Sequence, residues 1–176
     1  DVCSSDLCRV CDITEDSRTV VPGSLFIARR GLKADGKKYV LDAAAAGAAA
    51  ILTDDPELTS PEGYRLPILV ASNVPLVSAF IAERFYGHPT RSLTLAGVTG
   101  TNGKSTITYL IYQLMRQAKV PCGLIGTVLV DDGSEVARAS MTTLPAIELS
   151  WSFSRMKDAG DRKSTRLNSS HTVISY

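Results

Sequence analysis

The residues best suited to chemistry crowd into one stretch, Gly97 to Thr106, reading GVTGTNGKST. Glycines let a chain turn tightly enough to aim backbone N–H groups at an anion. A helix opening directly after them adds its own N–H groups and dipole. The chemistry that wants this is phosphate binding. Gly100, Thr101, Asn102, Gly103, Lys104, Ser105 and Thr106 are the candidate phosphate ligands. Lys104 would reach the outer phosphates, and the Ser105 hydroxyl would sit on a Mg²⁺ ion. The common P-loop spacing is not met: five residues separate Gly97 from Gly103, and only two separate Gly100 from Gly103. The competing reading is a tight strand-to-helix turn with a surface lysine. The order of strand, glycines, Gly-Lys-Ser and helix favours phosphate.

The elements that must position this loop follow from its flanks. Leu93, Leu95 and Val98 suit a short buried strand before it. Ile107, Leu110, Ile111, Leu114 and Met115 recur at helical spacing after it, with Lys119, Pro121 and Gly123 as stop signals. CGLIGTV (122–128) reads as the next strand, closing one βαβ unit of a mostly parallel sheet. Residues 131–150 read as a polar connection and the start of another helix. Trp151 and Phe153 read as core or helix-face residues.

Upstream lies a separate α/β block. SLFIA (24–28), AAAILT (48–53) and LPILVAS (66–72) read as strands, and GKKYVLDAAAAGA (36–48) reads as a helix. Pro75 suits the first turn of a helix over 76–87, with Val77, Phe80, Ile81 and Phe85 on one face and Gly87 at its end. ADGKKY reads as a turn followed by a solvated basic pair, and Asp54 and Asp55 as loop acids. GHPTRS (87–92) has linker composition. The expected organisation is a first domain over 8–89, a partial second domain over 90–160, and a tail over 161–176. The tail has no helical or strand period and resembles a translated sequencing adapter, as does DVCSSDL at the other end.

The composition excludes other classes. The chain has 176 residues, a net charge of +1, and is 44% hydrophobic and 21% charged. No charge field points to nucleic acid or an acidic membrane surface. No apolar run approaches the roughly 20 residues that span a bilayer, and no secretory signal is visible, so the cytoplasm and a monomer are expected. Cys8 and Cys11 have the spacing of half a zinc site, but no second pair follows, which favours free thiols.

Several segments, in one order, resemble the Mur ligase family, of the MurE type. They are GVTGTNGKST, DSRTVVPGSLFIARRGLKADGKKYV (16–40), AERFYGHP (82–89), GLIGTV (123–128) and MTTLPAIEL (141–149). The resemblance implies an N-terminal uridine-binding α/β domain followed by a truncated P-loop central domain. It implies an ATP- and Mg²⁺-dependent amide ligase of peptidoglycan precursor assembly. Such an enzyme adds a diamino acid, meso-diaminopimelate or L-lysine, to UDP-N-acetylmuramoyl-L-alanyl-D-glutamate. Lys104 is then catalytic and Ser105 the metal ligand. Glu15 and Ser17 would lie near uracil, Glu15 largely through its backbone. Leu32, Lys33 and Ala34 would hold the uridine end, and Thr142 and Thr143 would lie near the muramoyl-peptide. The family's other Mg²⁺ ligands, its carbamylated lysine and its amino-acid pocket fall outside the resembling region, so this chain alone is expected to bind and not to ligate. Alternatives are a MurF-type ligase, a non-catalytic UDP-sugar-binding fragment, a folate polyglutamate synthase and an unrelated P-loop kinase.

Overall fold

The computed structural model describes residues 9–31, 35–138, 144–159 and, as backbone, 165–168. The chain divides into two compact units, Asp1–Phe80 and Ile81–Tyr176.

The first unit is built on a four-stranded parallel sheet, β1 (Asp12–Thr14), β2 (Ser24–Ala28), β3 (Ala50–Thr53) and β4 (Ile68–Val70), in that spatial order. The two inner strands, SLFIA and AILT, are buried at every position. A parallel strand covered on both faces reads as a near-continuous apolar run, interrupted here only by Ser24 and Thr53, which is why these two read so clearly in sequence. Phe26, Ala28 and Ile51 pack with Val40, Ala43 and Ala48 into one core. The helix expected over 36–48 is shorter. Gly36–Tyr39 is a 3-10 turn capped by Asp35, and the α-helix proper, α1, is Val40–Ala45. Gly36 donates its N–H to the Arg29 carbonyl at 2.9 Å. A Cβ there would lie 2.8 Å from that same oxygen, so only glycine fits.

Helix α2 (Val74–Phe85) bears out the expected face in part. Val77 and Ile81 are half-buried, but Phe80 is 60% exposed and Phe85 is exposed as well. The fully buried residues are the smaller Val74, Ser78 and Ala82, at i, i+4 and i+8.

The second unit holds β5 (Thr94–Gly97), α3 (Lys104–Gln117), β6 (Leu124–Ile125), β7 (Leu129–Asp131), β8 (Val136–Arg138), α4 (Ala146–Asp158) and β9 (Thr165–Asn168). Its sheet order is β5-β9-β6-β7-β8, with β5, β9 and β6 parallel and β7 and β8 antiparallel. Four sequence expectations change here. Instead of one strand over 122–128, two short strands meet across a turn, and the expected polar connection contains a third. Strand β5 lies at the sheet edge, so Leu95 is exposed rather than buried. On α3 the buried residues are Thr108 and Tyr112, with Ile111 and Met115 half-buried, whereas Ile107, Leu110 and Leu114 are exposed. The helix carries two apolar stripes, and periodicity alone does not say which one the sheet takes. Finally, the tail read as having no strand supplies β9 between β5 and β6. Backbone pairing asks little of side chains, so hydrophobic patterning gave no warning of it.

Phe153 and Met156 of α4 pack on Leu93 and Ile125. Trp151 is exposed, with the Arg155 guanidinium 4.8 Å from its ring centre. Beneath α3, the buried Tyr112 hydroxyl donates to the Asp131 carboxylate, and Arg116 donates to the Tyr112 oxygen at 2.7 Å. Burial first, and the bond to Asp131 second, push the Tyr112 phenol above its ordinary value. A raised phenol favours the protonated form in the folded state. Its stabilisation is therefore complete below the unfolded-state value near pH ~10 and is lost as pH rises through the folded value. Tyr112→Phe is expected to cost about 1.5–3 kcal/mol, because a bond to a charged group goes. It should also remove one late tyrosinate transition from an alkaline absorbance titration.

Candidate functional site

All four strands of the first sheet run the same way, so their carboxyl ends share one edge. In open parallel α/β sheets, ligands bind outside that edge. Glu15 and Ser17 follow the end of β1, Arg29 follows β2, and Asp54 and Asp55 follow β3. The Asp16 side chain caps the 3-10 turn Ser17–Thr19 by accepting from the Arg18 N–H at 3.0 Å. The Arg18 side chain also grips Asp16, and these bonds hold the Asp16 carboxyl below the usual carboxylate range. This turn fixes Ser17, which is half-buried.

The Glu15 carboxylate accepts from Arg29 Nη2 at 2.7 Å. Its side chain is thus engaged within the protein, which leaves its backbone as the group available to a ligand. Lys37 is no solvated cation: its Nζ lies 3.1 Å from Asp55 and 3.7 Å from Asp54. The bond to Asp55 raises Lys37, while the Glu57 N–H first and Lys37 second lower Asp55. Sequence reading missed both partnerships. Leu32, Lys33, Ala34, Thr142 and Thr143 lie outside the described residues.

The carboxyl end of β5 leads straight into the glycine loop, and α3 opens at Lys104. Gly103 adopts φ 78° and Gly100 φ 149°, both in the region that side chains avoid. A Cβ on Gly103 would find space, its nearest neighbour being Ile107 Cδ1 at 3.8 Å. The requirement there is therefore backbone conformation rather than room. No side chain caps α3. The N–H groups of a first helical turn have no acceptor within the helix, so they remain donors for an anion.

Lys104 folds back over the loop, its Nζ 2.6 Å from the Gly100 carbonyl and 3.3 Å from that of Thr101. Ser105 Oγ lies 3.0 Å from Thr127 Oγ1. Thr101, Asn102 and Thr106 are exposed beside them. The seven loop residues singled out in sequence thus lie in one turn between β5 and α3, and Thr127 joins them from the end of β6. Among the described residues, no group of three or more His, Cys, Asp or Glu side chains is placed to hold a metal ion. Ser105 Oγ is a hard oxygen donor of the kind that fits Mg²⁺, which fills the rest of its shell with phosphate oxygens, waters and other protein oxygens.

A parallel sheet in the first unit, and in the second a mixed sheet with a glycine loop between a strand end and a helix N-terminus, define an α/β protein. The chain belongs to the Mur ligase family: residues 10–86 match the catalytic domain of that family and residues 98–165 its middle domain. It is 36% identical over 92% of its length to the UDP-N-acetylmuramoyl-L-alanyl-D-glutamate–2,6-diaminopimelate ligase of Pseudomonas putida, covering 33% of that protein. It is 39% identical over 92% to the ligase of the same name from Streptomyces coelicolor, covering 32% of it. The chain therefore spans about a third of the length of the curated relatives it matches. Among solved structures, a ligase of that name superposes with a TM-score of 0.65 at 23% identity, covering 90% of this chain and 31% of that one. The MurF ligase of Thermotoga maritima in complex with ADP superposes with a TM-score of 0.56 at 21% identity, covering 92% and 32%. At these identities the superpositions establish the fold.

Proposed function

We propose that this chain supplies the uridine-nucleotide-binding and ATP-binding domains of a ligase that joins meso-diaminopimelate to UDP-N-acetylmuramoyl-L-alanyl-D-glutamate. The observation that carries this is the loop at the carboxyl end of β5, with Gly100 and Gly103 at positive φ, Lys104 over the loop and Ser105 in the first turn of α3. The choice of diaminopimelate follows relatives of 34–40% identity that bear that substrate in their names.

ATP, when bound, supplies the phosphoryl group that activates a carboxylate toward an amine. The chain's own part is positioning and charge neutralisation, the main needs of phosphoryl transfer. Residues Gly100 to Gly103 offer backbone N–H groups, Lys104 a mobile positive charge, and Thr106 a second hydroxyl at the helix start. Ser105 would hold Mg²⁺, whose charge offsets that of the phosphates. At the other sheet edge, Glu15 through its backbone and Ser17 through its hydroxyl would take the uracil end, with Leu32, Lys33 and Ala34 continuing that contact. Thr142 and Thr143 would meet the muramoyl-peptide. The reaction belongs to the cytoplasm, and no helix among the described residues is long and apolar enough to cross a membrane.

The test is to titrate the isotopically labelled chain with UDP and, separately, with Mg²⁺ and ADP. UDP should shift amide resonances of Glu15, Ser17 and Arg29, and ADP those of Gly100 to Thr106. Shifts confined to other residues, or none at millimolar ligand, would defeat the assignment.

A further inference from the structure

Ser105 and Thr127 are separated by 22 positions in the chain, yet their hydroxyl oxygens stand 3.0 Å apart. Thr127 follows the carboxyl end of β6, the same sheet edge that β5 presents to the glycine loop. It is held in place by a turn. Gly126 donates its N–H to the Leu129 carbonyl at 2.9 Å, and the flanking strands pair Ile125 with Val130. The two central residues of that turn, Thr127 and Val128, are an unexpected choice. Tight hairpin turns favour glycine and asparagine at φ above zero. Neither Thr127 nor Val128 has positive φ, and neither residue type favours turns. The turn itself gives no reason for a threonine.

Two hydroxyls at this distance share one proton, and a divalent cation decides which one gives it. A serine in a first helical turn could turn its proton back to the carbonyl four residues earlier. For Ser105 that carbonyl is Thr101, and the Lys104 ammonium already donates to it and to Gly100. The acceptor that Ser105 Oγ meets in the structure is Thr127 Oγ1, at 3.0 Å. If Ser105 donates there, both its lone pairs stay free on the loop side. A cation on that oxygen also polarises its O–H, so an acceptor for the proton strengthens the metal bond.

We infer that Thr127 is a positioning residue: it accepts the Ser105 hydroxyl proton and so turns the Ser105 oxygen toward the Mg²⁺ that accompanies a nucleotide on the loop. This rests on the reading of Ser105 as the metal ligand.

Calorimetry of the full chain with ADP, with and without Mg²⁺, separates the two ideas. Thr127→Val removes the acceptor at nearly constant volume. It should weaken ADP binding in Mg²⁺ by about tenfold and leave Mg²⁺-free ADP binding within twofold. Thr127→Ser should keep the full Mg²⁺-dependent gain. A merely structural threonine would lower both affinities together, and that result overturns the inference, as does a valine variant that keeps the whole gain. Ser105→Ala distinguishes the failures. Should it lose the gain while Thr127→Val keeps it, the positioning role alone is wrong. Should it keep the gain, the metal-ligand reading falls and the inference with it. Circular dichroism checks folding. If the valine variant does not fold, Thr127→Ala, which also lacks the hydroxyl, is read by the same criteria.

Discussion

Replacing Lys104 with alanine in a full-length ligase carrying this chain is expected to lower ATP-dependent ligation by about 10²–10³-fold, the usual cost of removing one preorganised charge from a transition state. Binding of the uridine end of the substrate should be unchanged, because the residues proposed for it, Glu15 and Ser17, lie in the first unit. The ammonium lies 2.6 Å from the Gly100 carbonyl, directly over the loop that would cradle phosphate. A short pivot of a flexible four-carbon stem brings it to an outer phosphate oxygen. Measuring ADP release alongside UDP-substrate affinity checks both halves. Unchanged turnover would reduce Lys104 to a brace that holds the loop's own carbonyls.

The second large effect is on stability. Phe26→Ala should destabilise the first unit by about 3–5 kcal/mol, the range for emptying an aromatic site in a packed core. Phe26 is 0% exposed, on an inner strand with neighbours on both faces. Because most of a domain's net stability is of this size, the variant should lose UDP binding and amide protection over residues 12–70. Amides over 104–117 should keep their protection if the two units unfold independently. Equal loss of protection in both would show a single cooperative unit.

What the sequence disclosed depended on how local each signal was. The strands SLFIA and AILT were legible because both are buried along their whole length and are apolar except at Ser24 and Thr53. The glycine loop was legible because phosphate binding, the role proposed for it, would demand glycine, lysine and hydroxyl in a fixed order. The face of α3 was not, since Ile107, Leu110 and Leu114 make as good a stripe as the one that includes Tyr112. The latter is chosen by a hydrogen bond to Asp131, 19 positions away. Pairs such as Glu15 with Arg29, Lys37 with Asp55 and Ser105 with Thr127 are products of tertiary folding. Ser105 and Glu15 were singled out in sequence for other roles, but nothing local names Thr127 or Arg29 as their partners, or Asp55 as that of Lys37.

The two sheets also differ in when a ribosome could let them close. In the first, the strands lie in space in the order in which they are made, so each new strand can dock on the one before it as it leaves the exit tunnel. In the second, β9 follows β8 in the chain and sits between β5 and β6. At translation rates of about 5–20 residues per second, β5 and β6 emerge some seconds before β9 can pair with their facing edges, and unpaired strand edges are open to foreign strands over that interval.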